Sequence, residues 1–283
     1  MKPLDYHECK PRGTFDFPIE YYHIDASHPR YAMPYHWHVE FELLRVLQGS
    51  FQLVLNNATY TLLSGDAAFI RDGALHGGTP DNCVYECLVF DLSAFLKGST
   101  VCKMQLKPIL DHDIYVDEVY PAGTADISPL IDRLFEAMGR KECGWALYTQ
   151  GTLYQLFGAI LKNGCCSDRP GGAMQNKRRV RQLKRVIERI ETDYAAPLTL
   201  SELAAHSGMS DKYFCKFFRE MTHRTPIDYL NYYRIECACE QLRTTGDSVT
   251  DIAYRCGFND LSYFIKTFRH YKGTTPKSYR KQG

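Results

Sequence analysis

Two groups of side chains in this chain have the types and spacing to act together. In His36-Trp37-His38 the imidazoles alternate with Trp37. In an extended segment that spacing puts both rings on one side, where Glu42 can join them. The second group is basic. Lys212, Cys215, Lys216 and Arg219 share one side of a helical spacing, while Phe214, Phe217, Phe218 and Met221 fall at i, i+3, i+4 and i+7 on the other. Ser262, Ile265, Lys266 and Arg269 repeat that outward face over Phe264, Phe268 and Tyr271, which the pattern predicts to be buried. A helix held by aromatics at its back, with cationic and small residues in front, suits the major groove of double-stranded DNA. The plainer reading of one such helix is a solvated charged face.

Duplication favours the DNA reading. Thr199-Leu200-Ser201-Glu202 opens one short helix and Ser248-Val249-Thr250-Asp251 opens another; in each, a hydroxyl can cap the first turn and an acid can reach back to it. Leu203-Ala204 is echoed by Ile252-Ala253, Gly208-Met209 by Gly257-Phe258, Tyr213-Phe214 by Tyr263-Phe264, and Thr225-Pro226 by Thr275-Pro276. Two related helix-turn-helix units account for this pattern. Between them, Thr225-Pro226 starts a helix that runs to about Thr244 and stops at Gly246. At 1.5 Å per residue this strut is roughly 25–30 Å long. That length can hold two recognition helices about one DNA turn, near 34 Å, apart.

These residues, together with Phe217-Phe218-Arg219, Tyr229-Leu230, Arg234-Ile235, Phe268-Arg269 and Tyr279-Arg280, resemble the AraC/XylS transcription regulators over roughly Val180–Arg280. The resemblance implies base-reading positions at Lys212, Cys215 and Lys216, and at Leu261, Ser262, Ile265 and Lys266. Leu261 and Ile265 depart from the longer polar residues common there; they can touch thymine methyls but donate no hydrogen bond. The resemblance also implies a homodimer, RNA polymerase as a partner, a sugar or similar metabolite as effector, and activation over repression.

The first half of the chain reads as short strands. Phe41–Leu47 stops at Gly49, Phe51–Leu55 meets the turn Asn56-Asn57, Thr59–Leu63 follows, and Ala67–Ile70 and Tyr85–Phe90 are further strands. Such a series indicates a small antiparallel β-barrel or jelly roll. Over about Tyr35–Pro80 it resembles the two motifs of the cupin barrel, with Arg30, Arg71 and Pro80 standing where that pattern has Gly, Pro and Asn. By this resemblance His76 joins His36, His38 and Glu42 from a facing strand. Three imidazoles and a carboxylate are a workable set for a divalent transition metal; the alternative is that they are hydrogen-bonding groups of a sensor pocket. Either way they mark its inside, with Tyr35 and Trp37 at its mouth.

Beyond the barrel, Asp126-Ile127-Ser128-Pro129 starts a helix carrying Leu130, Leu134, Phe135 and Met138, and a second carries Leu153, Tyr154, Leu156, Phe157, Ile160 and Leu161. Packing against the barrel is the plain reading, and a dimer seam is what the resemblance implies. A Gly- and Pro-rich linker is expected at 164–176. After it comes a helix with Lys184 and Arg185 outward and Val180, Leu183, Ile187 and Ile190 inward. The expected architecture is therefore α+β with two domains. A cupin-like sensing and dimerisation domain spans 1–163, and an all-α domain of two helix-turn-helix units joined by a long helix spans 177–283.

Composition agrees. From Gln175 onward there are 20 Lys+Arg against 12 Asp+Glu, and before it 14 against 21, so a basic half follows an acidic one. The 11 cysteines show no zinc-like pair, and most sit in apolar segments as small hydrophobes. No signal peptide or membrane span is visible, which points to a reducing cytoplasm and no membrane partner. The expected function is a sequence-specific DNA-binding transcription regulator responsive to a small molecule, and not an enzyme. One alternative is a metal-dependent cupin enzyme, a dioxygenase or isomerase, that uses the same three histidines and Glu42. The other is an interaction protein whose helices bind protein.

Overall fold

Apolar residues on both sides of the central strands dictate a sheet covered on two faces. In the computed structural model, which describes residues 8, 12–56, 58–96, 99–167, 177–222 and 224–281, the chain divides into two units, Met1–Arg181 and Gln182–Gly283. The first unit begins with β1 (Ile19–Ile24), β2 (Met33–His36), β3 (Phe41–Leu55), β4 (Ala58–Leu63), β5 (Ala67–Ile70) and β6 (His76–Phe90). It continues with α1 (Leu92–Phe95), α2 (Thr100–Leu110), β7 (Tyr115–Val116), β8 (Val119–Tyr120), α3 (Ser128–Arg140), α4 (Trp145–Lys162) and β9 (Cys166–Ser167). Seven strands form one sheet in the order β1-β6-β3-β5-β8, with β2 on β6 and β4 on β3, and every ladder is antiparallel. Among the described residues no ladder joins the ends of this path. The antiparallel sheet of the expected barrel or jelly roll is present, and no ladder among the described residues closes it.

The strands expected at 41–47 and 51–55 are one fifteen-residue strand, β3. It lies against an equally long β6 from Phe41↔Phe90 to Leu55↔His76, with register shifts between Val46 and Ser50. Gly49 sits in this bulge at φ 73°, and a Cβ there would come within 2.1 Å of the Asn82 carbonyl oxygen. Only glycine allows the two backbones to approach so closely, so Gly49 bends the strand instead of ending it.

Alternation sends Phe41 and Leu43 to one face, with Phe69, Leu88 and Phe90, where Leu134, Phe135, Leu156 and Phe157 cover them. Phe157 meets Phe69 and Phe90 edge-on at 5.9 and 6.5 Å between centroids. Burying each ring contributes about 1.5–3 kcal/mol. The apolar stripes of α3 and α4 therefore pack on the sheet of their own chain. The other face carries Leu44, Val46, Phe51, Leu53, Leu55, Tyr85 and Cys87. Of the expected linker, Cys166–Ser167 still pairs with Tyr115–Val116, and 168–176 lie outside the described residues.

The second unit is helical. Its elements are α5 (Lys177–Asp193, which begins before the division), α6 (Leu200–His206), α7 (Asp211–Thr222), α8 (Pro226–Thr244), α9 (Val249–Arg255), α10 (Leu261–Lys272) and α11 (Pro276–Arg280). Thr199 and Glu202 form the full capping box before α6, and the Ser248 hydroxyl caps α9 through the Asp251 N–H. On α5 the buried positions are Val180, Leu183, Val186 and Ile190; Val186, and not the expected Ile187, completes the stripe. Central α8 touches both flanking pairs. Tyr229 meets Phe218 of α7 edge-on at 5.6 Å, while Asn231 Nδ2 donates to Tyr263 Oη of α10 at 2.9 Å. No described helix is long and apolar enough to cross a membrane.

Candidate effector chamber and nucleic-acid interface

Alternation along β3 also turns Glu42 toward the face opposite α3 and α4, where it meets three imidazoles. These residues are not neighbours on one strand, as the spacing had suggested. His36 ends β2, His38 lies in the connection that follows, and Glu42 is in β3. His76 opens β6 as the direct cross-strand partner of His36, an adjacent strand in place of a facing one. The four ligand atoms lie within 4.8 Å of one another. His38, Glu42 and His76 are buried and His36 is partly exposed.

Each imidazole is oriented by a backbone carbonyl. Nδ1 of His36 bonds to Pro34 O at 2.9 Å, that of His38 to Glu40 O at 3.1 Å, and that of His76 to Ala74 O at 2.9 Å. A carbonyl only accepts, so each Nδ1 carries a proton and each Nε2 is left to the cluster. His38 Nε2 is 3.1 Å from Glu42 Oε2. His76 Nε2 lies 3.3 Å from the same oxygen. Burial opposes the Glu42 charge, yet His38 and His76 outweigh it and hold the carboxyl well below its usual range. Burial, with the neighbouring His76, pushes the His36 imidazole down to about 4.

The cluster opens through His36 and Glu42 into a cavity of about 660 Å³. Tyr35, Tyr22, Tyr85, Arg12 and Arg30 are among its walls. Arg12 is nearly inaccessible and donates to Tyr22 Oη at 2.6 Å, while Glu8 takes hydrogen bonds from both Arg12 and Arg30. Burial raises the Glu8 carboxyl, but those two guanidiniums prevail and hold it at about 2. Tyr35 is half exposed and does line the opening. Trp37 does not, since the residue next to His36 points the opposite way and is fully buried. Glu8, Arg12 and Tyr22 are far from the histidines in sequence and carry no motif. Arg30 was visible only as a departure from the cupin pattern.

In the second unit Phe214, Phe217, Phe218 and Met221 of α7 are buried, while Lys212, Lys216 and Arg219 are exposed and Cys215 is half-buried. On α10 Phe264, Thr267 and Phe268 are buried; Ser262, Lys266 and Arg269 are exposed, and Leu261 and Ile265 half-buried. Tyr271, expected in that core, is half-buried, with its hydroxyl on Asp228. The Lys216 side chain is 74% exposed and its ammonium lies 3.9 Å from Glu220, a loose surface pair. Tyr213 and Tyr263 are exposed at equivalent places in the two copies, at 58% and 49%.

Comparison with known proteins gives two family matches. Residues 18–157 match the AraC-like ligand binding domain, and residues 203–282 match a helix-turn-helix domain. The chain belongs to the AraC family of DNA-binding transcription regulators. AraC-family relatives match along nearly its whole length. It is 26% identical to the HTH-type transcriptional regulator YdeC of Bacillus subtilis, over 97% of this chain and 95% of that one. It is 29% identical to the HTH-type transcriptional activator RhaS of Klebsiella pneumoniae, over 91% of each chain. The same-named activator of Pectobacterium carotovorum is 24% identical over 92% of this chain and 91% of its own. In AraC-family terms the chamber lies in the ligand-binding domain and the paired basic faces in the DNA-binding domain. The enzyme alternative finds no support among these relatives.

Proposed function

We propose that this regulator activates transcription when a small polar metabolite, a sugar or a compound of like polarity, occupies the chamber beside His36 and Glu42. In this reading α7 and α10 enter successive major grooves. Lys212, Cys215, Lys216 and Arg219 face the first; Leu261, Ser262, Ile265, Lys266 and Arg269 face the second. α8, with 19 residues, is about 28 Å long at 1.5 Å per residue, which suits a separation of about one turn of DNA. The activator sense follows the RhaS relatives, and a homodimer acting on RNA polymerase in the cytoplasm follows the family resemblance. The domain limits 1–163 and 177–283, with a linker between them, complete the proposal.

The observation that carries it is the pairing of two exposed basic faces with two aromatic backs in the same order. An effector controls such a reader only if it binds one arrangement of the protein more tightly than the other. A base-resolved footprint of the full chain, with and without a panel of sugars, tests the proposal. Two protected windows about one turn apart, weakening steeply with salt and changed by one compound, are expected. Protection that ignores salt, or a single window, would overturn the arrangement of readers.

A further inference from the structure

We propose that Tyr263, held in place by Asn231 and followed on the same flank by His270, is a phosphate clamp that makes α10 the anchoring helix of the pair. This rests on the reading in which α7 and α10 both enter major grooves. A helix with its side chains is about 10–12 Å across, and the major groove is about 12 Å wide. Residues at the front of such a helix meet base edges, while residues a quarter-turn round meet the sugar-phosphate wall. Successive residues turn by roughly 100°, so Tyr263 stands on the flank beside outward-facing Ser262. His270 follows it on that flank, two turns on. Tyr213 and Glu220 hold the equivalent places on α7, fifty positions earlier.

The two tyrosines are prepared differently. Buried Asn231 of α8 donates through Nδ2 to Tyr263 Oη at 2.9 Å, and Phe258 braces the Tyr263 ring at 6.1 Å between centroids. A phenol has one proton to give. The amide takes an acceptor side of the oxygen, so that proton stays available, and accepting one hydrogen bond strengthens the next. The oxygen is fixed in place before DNA arrives, and little freedom is lost when it meets a phosphate. Tyr213 has no matching amide bond among the described residues. Further along, the flanks diverge again. On α10 the exposed His270 can give an N–H to the backbone. On α7 the same place holds Glu220, a carboxylate 3.9 Å from the Lys216 ammonium, which repels phosphate. Phosphate contacts fix register and carry no base information. That suits a helix whose front holds Leu261 and Ile265, neither of which donates to a base. The second unit grips and the first selects.

Full-length protein and duplexes of its footprinted site, each with one uncharged methylphosphonate in place of a phosphate, test the clamp. The native chain should lose about tenfold in affinity at one phosphate beside the α10 window. Tyr263→Phe should lose about tenfold on the unmodified duplex, alike for every base substitution in that window, and nothing more at that one methylphosphonate. Tyr213→Phe should lose less than about threefold. His270→Ala should show the same cancellation at an adjacent phosphate. Tyr263→Phe also takes an acceptor from Asn231, but loosening of the fold lowers affinity at every phosphate equally and cancels at none. A native chain indifferent to every methylphosphonate beside α10 therefore overturns the clamp. So does a Tyr263→Phe loss that is absent or adds to each methylphosphonate alike, and an equal loss in Tyr213→Phe overturns the anchoring role of α10. Lys216→Ala keeps the underlying reading separate. If it relaxes base choice while Tyr263→Phe does nothing, only the clamp falls; if neither changes binding, the groove assignment falls with it.

Discussion

The two units put their ionisable groups in opposite places. The sheet unit buries His38, Glu42, Asp72, His76, Glu86 and His112, whereas among the described residues the helical unit buries only Asn231 and Thr267 as polar side chains. A group kept in water costs nothing until it meets phosphate or a base edge, and its attraction at a distance speeds encounter. A group kept dry must be satisfied by fixed partners, but it is already in position when a small molecule arrives. On the proposed reading, the same chain uses exposure for reading DNA and enclosure for sensing an effector.

The contrast can be broken most forcefully at the aromatic backs. Phe218→Ala or Phe264→Ala should each cost about 3–5 kcal/mol of stability in urea unfolding, while Lys266→Ala should fall within about 0.5 kcal/mol. Comparable losses at Lys266 would mean that its ammonium is part of the core after all. On the sheet side, Arg45 Nε donates to Glu86 at 2.7 Å while a second nitrogen reaches Asp132 at 2.9 Å. Removing it in Arg45→Ala should cost about 3 kcal/mol, because a buried carboxylate loses its cation.

Glu86 also sets an acid limit. Burial favours its neutral form, but hydrogen bonds from Tyr21, His23 and Arg45 win and lower its pKa. A carboxyl whose folded pKa is depressed contributes stability that is complete above the unfolded value, near 4.5, and lost as pH falls through the folded value. Melting curves from pH 7 downward should therefore show a loss beginning below about pH 4.5 that Glu86→Gln reduces. An unchanged acid slope in that variant would place the sensitivity elsewhere.

Smaller effects sharpen the comparison between the two proposed readers. Lys216→Ala should cost about 1–3 kcal/mol on the preferred duplex and relax choice at one base pair. Ile265→Ala should cost less and matter only where a thymine is read. Binding titrations on single-base variants of the site check both, and a uniform loss on every duplex would reassign Lys216 to phosphate. Smallest are the caps: Thr199→Ala and Ser248→Ala should each cost about 1 kcal/mol in thermal unfolding. A much larger loss at Thr199 would measure what its reciprocal box adds over the simpler cap at Ser248.

What could be read from sequence followed the range of the interactions. Caps, helix stripes and the glycines at 208 and 257, both at positive φ, act within a few residues and appear as periodicity. The His-Trp-His motif did mark a cluster, though its members come from β2, the connection after it, β3 and β6. Pairing across forty residues leaves no local trace, so β3 was read as two strands at Gly49. α2 was not foreseen, since Pro108 lies within it. The chamber walls around Glu8, Arg12 and Arg30 exist only through long-range hydrogen bonds, and their charges looked like ordinary surface.

One consequence follows from α8 gripping Phe218 through Tyr229 and Tyr263 through Asn231. Loosening this shared axle detunes both halves of the unit together, so substitutions along it should be strongly non-additive with those on either flank. If α7 and α10 read DNA as proposed, changes of target sequence that leave one half intact are confined to their outward residues. On the proposed reading, substitutions at the rim retune specificity and substitutions at the hub disable both readers at once.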